Sequence, residues 1–243
     1  GTLQILKVYN MGYVIRTSQR CFAIDICWHG SAAGAAKLAK YIDVMFVTHP
    51  HGDHYTPVMI EAVLKAGKKL VLSKDYGPED KSGNKLVFWD DIIDNPVDIC
   101  GIEMKTLKGH QNKSDPAQCP NNVYHLTFDG WTLIHDGDNS DHDKNILLEK
   151  LEAPDVVIYA TWNRPYRVID HIRNSRGLSD RQTLFISSHE NEYGHRVQQR
   201  ESYWETYTRE DRYGDPDYEY FPWLTMEAGE NIILTHDKLK PLK

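Results

Sequence analysis

Four side chains able to hold a metal ion crowd into six residues of this chain: His49-Pro50-His51-Gly52-Asp53-His54. The segment lies between two well-marked elements. Before it, Ile42 to Val47 (IDVMFV) is mostly apolar, the mark of a strand buried on both faces. After it, Thr56-Pro57 opens a helix predicted to run to about Ala66, with Thr56 as N-cap, Pro57 in the first turn and Gly67 just past the end. His49 and His51 project to the same side of an extended backbone. Gly52 lets the chain bend, which turns Asp53 and His54 towards a second point. That division suits two neighbouring cations, one on imidazoles and one on a carboxylate plus an imidazole. Imidazole suits Zn, Fe, Ni and Cu, and a mixed imidazole and carboxylate set also admits Mn. The whole chain has only 12 His among 243 residues, so three of them beside an Asp in six positions are not a scatter of surface histidines.

The rest of the chain alternates in character. Leu3 to Tyr9, Tyr13 to Thr17 and Cys21 to Cys27 read as strands, with Ser18-Gln19-Arg20 as a turn. Ser31 to Lys40 is alanine-rich and helical, with Ser31 placed to cap it. Leu70 to Ser73, Lys85 to Trp89 and Ile102 to Leu107 are short strands. Val123 to Phe128 and Trp131 to His135 flank Asp129-Gly130, a two-residue hairpin signal. Asn145 to Leu151 and Pro165 to Asn174 read as helices, and Asp155 to Thr161, Thr183 to Ser187 and Ile232 to Thr235 as strands. Strands preceding and alternating with helices predict an α/β architecture. No linker divides the chain, so residues 1–243 are expected to form one domain with an aromatic and acidic extension from about 200.

Bulk properties narrow the partners. A formal net charge of −7 argues against a nucleic-acid partner, which calls for a basic stripe. No apolar run approaches the roughly 20 residues that cross a bilayer. Cys21, Cys27, Cys100 and Cys119 form neither a disulfide scaffold nor a CxxC zinc ribbon. The chain opens Gly1-Thr2 without methionine, the start expected of an exported protein relieved of its leader, and equally of a trimmed tail or a removed domain.

HPHGDH resembles the HxHxDH signature of the metallo-β-lactamase superfamily, placed after a buried strand and before a helix as in that family. Other stretches agree in order. Leu107-Lys108-Gly109-His110 resembles the strand end that carries the third histidine of the first metal. Ile134-His135-Asp136-Gly137-Asp138 resembles the stretch ending in Gly-Asp, whose Asp bridges the metals. Phe185-Ile186-Ser187-Ser188-His189 resembles the strand ending in the last histidine of the second metal. Ala23-Ile24-Asp25 resembles the early strand whose Asp supports the site from below. The resemblance spans about Leu3 to about His195 and implies a four-layer αβ/βα sandwich.

By that resemblance His49, His51 and His110 hold one divalent cation, Asp53, His54 and His189 a second, and Asp138 lies between them. Zinc is the first expectation, with Mn or Fe admitted. The implied chemistry is hydrolysis of an ester-like bond (lactone, carboxylic ester or phosphodiester) of a small molecule by a water activated between two cations, with Asp53 and Asp138 as catalytic carboxylates. Glu190, Glu192 and His195 are candidates for the leaving-group proton donor or the pocket wall. Asp136 is the alternative bridge, which the family's Gly-Asp order disfavours. His125 and His135 read as ordinary strand residues, and Asp141-His142-Asp143 as a solvated turn or a further ligand cluster. The compact path from HPHGDH to His110, without the long insertion of β-CASP RNA nucleases, looks most like the branch of ascorbate-6-phosphate lactonase and N-acyl phosphatidylethanolamine phospholipase D. No extended arm of the tRNA 3′ processing type is visible, and a first-position His departs from the HxExD pattern of diiron flavoproteins. A nuclease and a non-catalytic binding member of the same fold remain the alternative functions. Tyr203 to Trp223 reads either as a surface-covering tail or as a lid working with Trp28 and Trp162.

Overall fold

Alternation of side chains decides the layering. In a computed structural model, which describes residues 1–111, 119–140, 154–160, 183–189 and 223–239, the strands assemble into two seven-stranded sheets. The first sheet has the order β14-β1-β2-β3-β4-β5-β6, built from β1 (Thr2–Tyr9), β2 (Gly12–Arg16), β3 (Cys21–Ile24), β4 (Val44–Phe46), β5 (Lys69–Leu72), β6 (Lys85–Val87) and β14 (Asn231–Thr235). The second has the order β13-β12-β11-β10-β9-β8-β7, built from β7 (Ile92–Ile99), β8 (Ile102–His110), β9 (Pro120–Phe128), β10 (Trp131–His135), β11 (Val156–Ala160), β12 (Leu184–Ser188) and β13 (Trp223–Thr225).

Phe22, Ile24, Val44, Phe46 and Val71 point from the first sheet into a shared core with Met104, Tyr124, Leu126, Leu133, Ile158 and Ile186 of the second. The intervening Ala23, Met45, Leu70 and Leu72 point the other way, into a second cluster. There they meet Ala35 and Ala39 of α1 (Ala32–Tyr41) and Met59, Ile60 and Val63 of α2 (Pro57–Lys65). A first sheet covered on both faces explains why β3, β4 and β5 lack polar alternation. Three layers of an α/β sandwich are thus on view. The expected helices at Asn145 to Leu151 and Pro165 to Asn174 lie outside the described residues.

Local signals work as the residues dictate, with two differences. Ser31 caps α1, its Oγ accepting from Gly34 N at 3.1 Å. Thr56 begins α2 without a side-chain cap; its Oγ1 instead accepts from Trp28 N at 3.3 Å, and Pro57 fixes the first turn. The hairpin residues Asp129 and Gly130 both have positive φ (48° and 78°), the requirement of the tight turn joining β9 to β10. β7 is absent from the sequence expectation because Asp94-Asn95-Pro96 interrupts it. It survives at the edge of its sheet, with an irregular register between Ile92 and Val97. Among the described residues no helix is long and apolar enough to cross a membrane.

Candidate metal centre

The topology collects strand ends. β3 and β4 are parallel neighbours, so Asp25 and the segment Thr48 to His54 leave the first sheet at the same edge. β10, β11 and β12 are parallel in the second sheet, and their ends deliver Asp138 and His189 to that edge. β9 runs antiparallel to β8 and enters where β8 leaves, bringing Cys119 alongside.

Among the described residues two groups of side chains result, each with ligand atoms within 4.8 Å of one another. One is Asp53, His54, Asp138 and His189; the other is His49, His51 and Cys119. His189 Nε2 stands 3.1 Å from Asp53 Oδ2 and 3.3 Å from Asp138 Oδ2. His54 Nε2 stands 3.2 Å from Asp138 Oδ1. The other oxygen of that carboxylate, Oδ2, lies 3.6 Å from His49 Nε2, so Asp138 spans the space between the groups.

The imidazoles are aimed from behind. Asp25, fully buried, accepts from Thr48 N and Thr48 Oγ1, each at 2.7 Å, and from His54 Nδ1 at 2.8 Å. With its own proton committed to Asp25, Thr48 Oγ1 accepts from His49 Nδ1 at 3.1 Å. Both rings are therefore held by Nδ1 with Nε2 facing the centre, the usual way an outer partner sets a metal-binding tautomer. His49 Nε2 is fully buried and makes no hydrogen bond, a costly arrangement that a cation relieves. Asp25 and His189 both take left-handed backbone (φ 49° and 68°), strain of the sort that gathers at functional sites.

A sequence profile described as a β-lactamase superfamily domain matches residues 10–170, most of the chain. The chain belongs to the metallo-β-lactamase superfamily. Over 134 residues it is 26% identical to the UPF0173 metal-dependent hydrolase of Thermococcus onnurineus, a match covering 54% of this chain and 59% of that protein. The chain thus spans about three-fifths of the length of this curated relative. Igni18, a metallo hydrolase from Ignicoccus hospitalis, shares the fold at 14% identity and a TM-score of 0.63, with 97% of this chain and 99% of that one covered. An isothiocyanate hydrolase from Delia radicum gut bacteria does so at 16% identity and a TM-score of 0.63, with 94% and 98% covered.

Within this metallo-β-lactamase superfamily member, charge is distributed unevenly. Burial and the neighbouring His54 push His49 down to about 3, leaving it neutral with a lone pair free to coordinate. Burial also works against charge on His54, but the Asp138 and Asp25 carboxylates outweigh it and lift the imidazole to about 10. At Asp138 burial opposes ionisation, and His189, His54 and His49 overcome it, holding the carboxyl well below the usual range. Asp136 is different: burial lifts it to about 7, against a hydrogen bond from Asn139 Nδ2 at 3.3 Å.

Among residues expected from sequence, the structure brings together His49, His51, Asp53, His54, Asp138 and His189, with Asp25 behind them. His110 belongs to neither group; its ring stands edge-on to Trp89 with centroids 5.7 Å apart. His135 is a buried strand residue whose Nε2 donates to Met11 O at 2.9 Å and whose Nδ1 accepts from Gly137 N at 3.2 Å. Trp28 donates from Nε1 to Ser31 O at 2.9 Å, beside the start of α1. Glu190, Glu192, His195, Trp162, the cluster Asp141 to Asp143 and the stretch 203–222 lie outside the described residues.

Several contributors carry no sequence signal of their own. Asn121 clamps the turn before Asp138, its Oδ1 accepting from Asp138 N at 3.0 Å and its Nδ2 donating to Asp136 O at 3.0 Å. Asn10 Nδ2 donates to Asp53 Oδ2 at 3.2 Å, and Gln111 Nε2 to Asp138 Oδ2 at 3.0 Å.

Asp25→Asn tests the support from behind. An amide cannot accept from Thr48 and His54 together with the strength of a carboxylate. Metal affinity is expected to fall about 10–100-fold, the usual cost of losing an outer partner, read by competition with a chromophoric chelator. Unchanged affinity would show that Asp25 does not orient His54.

Proposed function

We propose that this chain is a metal-dependent hydrolase that uses two divalent cations, zinc foremost, to cleave an ester-like bond of a small molecule. Its proposed place is the branch of ascorbate-6-phosphate lactonase and N-acyl phosphatidylethanolamine phospholipase D, on the strength of the compact path from HPHGDH to β8. The observation that carries the reading is Asp138, a member of the second group whose Oδ2 also stands 3.6 Å from His49 Nε2 of the first.

The donor set fits such cations: buried imidazole nitrogens converge with two carboxylates in a region that no Lys or Arg enters among the described ion pairs. His49 and His51 would hold one cation, Asp53, His54 and His189 the other, and Asp138 would touch both. When bound, the pair supplies a Lewis acid for the substrate oxygen and makes a shared water acidic enough to ionise near neutral pH. The chain's part is to place the groups around that water. Asp53, whose Oδ2 accepts from Asn10 Nδ2 at 3.2 Å, would orient the attacking water as well as help to hold the second cation. Asp138 is fixed by Asn121 and Gln111, so its carboxylate cannot swing away as charge shifts.

Reconstituted protein is expected to hold close to two transition-metal ions per chain by elemental analysis, and His51→Ala with Asp138→Ala to lose most of them. A panel of lactone, phosphodiester, thioester and amide substrates then identifies the bond. Protein that holds no metal after reconstitution overturns the reading. Uptake is also expected to release protons. In the metal-free centre His54 lies raised from the ordinary 6.5 to about 10, so it is charged at pH 7 and must lose the Nε2 proton to coordinate. Its pairing with Asp25 and Asp138 stabilises the metal-free fold fully below about 6.5, and that contribution is lost as pH rises through about 10. Metal affinity therefore climbs with pH over the same window, measurable by calorimetry in buffers of differing ionisation enthalpy.

A further inference from the structure

We propose that Cys119 is a ligand of the first cation, so that His49, His51 and Cys119 together form a mixed imidazole and thiolate cradle. The proposal rests on the paired-cation reading above and concerns how its first position is completed.

Strand register carries the argument. In the β8–β9 ladder His110 lies opposite Pro120, and the pairing continues one step further, with Gln111 N donating to Cys119 O at 3.2 Å. Residues directly opposite share a face, and successive residues alternate. Gln111 faces the centre, since its Nε2 reaches Asp138 Oδ2 at 3.0 Å. Cys119, its opposite number, faces the centre too. His110 is one residue back, on the face that carries Met104 and Tyr124, and its ring stands against Trp89 instead of entering either ligand group.

The strand that carries Cys119 is tied at three points, which fixes where its Cβ stands. Ser73 Oγ donates to Pro120 O at 3.1 Å, Asn122 N donates to Thr48 O at 2.8 Å, and Tyr124 OH donates to Val47 O at 2.8 Å. The last two fasten β9 onto the peptides that precede His49, and the first ties its start to the end of β5. Cys119 Sγ ends 3.4 Å from His51 Nε2, and the two, with His49, lie within 4.8 Å of one another. The second observation is His49 itself, fully buried, with Nε2 aimed into this group and without a hydrogen bond. A neutral imidazole lone pair beside a thiol and a second imidazole is a site that a cation completes. The thiol gives its proton to solvent as the sulfur–metal bond forms. A thiolate there favours Zn over Mn, because soft sulfur discriminates against the oxygen-preferring ion.

Cobalt(II) is the probe. Cobalt-loaded protein is expected to show a near-ultraviolet thiolate-to-cobalt charge-transfer band. Cys119→Ser should abolish the band and weaken one of the two cations by at least 10–100-fold, taking loss of an outer partner as the lower bound. His110→Ala should leave both unchanged. Because Cys119→Ser could disturb the β9 entry, zinc-edge X-ray absorption of the unmutated, zinc-loaded protein gives an independent reading: a sulfur scatterer at about 2.3 Å. Cobalt bound in full with no charge-transfer band, or a band and affinity that survive Cys119→Ser and vanish in His110→Ala, overturns the proposal. None of these readouts involves turnover. Protein that shows the sulfur signature and hydrolyses nothing defeats the proposed function and leaves Cys119 a ligand.

Discussion

Asp53→Ala is expected to lower hydrolysis by about 10²–10⁴-fold, the range for removing a group that handles the nucleophile's proton, while metal content falls far less. Asp53 is unlike the rest of its group. Its side chain keeps 33% exposure, whereas Asp138 keeps 1%, so Asp53 sits where a substrate and water arrive. His54, His189 and Asp138 still enclose the second position when it is gone. Rate and metal content should therefore separate, with elemental analysis run on the same sample as the kinetics. Activity that survives both strong chelation and loss of Asp53 would remove the proposed nucleophile chemistry altogether.

Gly137→Ala is expected to cost about 2–6 kcal/mol in denaturant unfolding of the metal-free protein. Two penalties add. Gly137 has φ of 57°, and a side chain held in strained backbone costs about 1–3 kcal/mol. An added Cβ would lie 2.4 Å from Asn121 Oδ1 and 2.7 Å from Thr48 Cβ and Oγ1, and overpacking of this kind costs about 1–3 kcal/mol more. Neither neighbour can give way freely. Asn121 holds the Asp138 turn and Thr48 holds Asp25. Gly130→Ala is the control: φ is 78° there, but nothing lies within 4 Å, so only the backbone penalty applies. Equal losses in the two variants would mean that the Asp136 to Asp138 turn is not packed as described.

The centre was legible where its residues are contiguous. HPHGDH, the buried strand before it and the capped helix after it read directly, because ligand spacing and apolar patterning are local properties. Asp138 and His189 were legible as strand-end residues in a fixed order. Cys119 was not, because its value depends on register. Whether a strand-end side chain faces the centre is a parity question, and residue 110 or 111 cannot be chosen without knowing what lies across the ladder. The same limit hid Asn121, whose amide matters only once β9 lies beside the Asp138 turn. β7 was hidden by Pro96, which breaks the sequence pattern but not an edge strand.

His49, His51, Asp53 and His54 extend from the first sheet, whereas Cys119, Asp138 and His189 extend from the second. Neither half carries a complete ligand set, so cations seated here would act as rivets through the seam of the sandwich. Prising the sheets apart and emptying the centre then become one event. At free metal a hundredfold above Kd, each rivet would add about 2.7 kcal/mol against opening. The metal supply would thus govern how firmly this protein is shut as well as how fast it works.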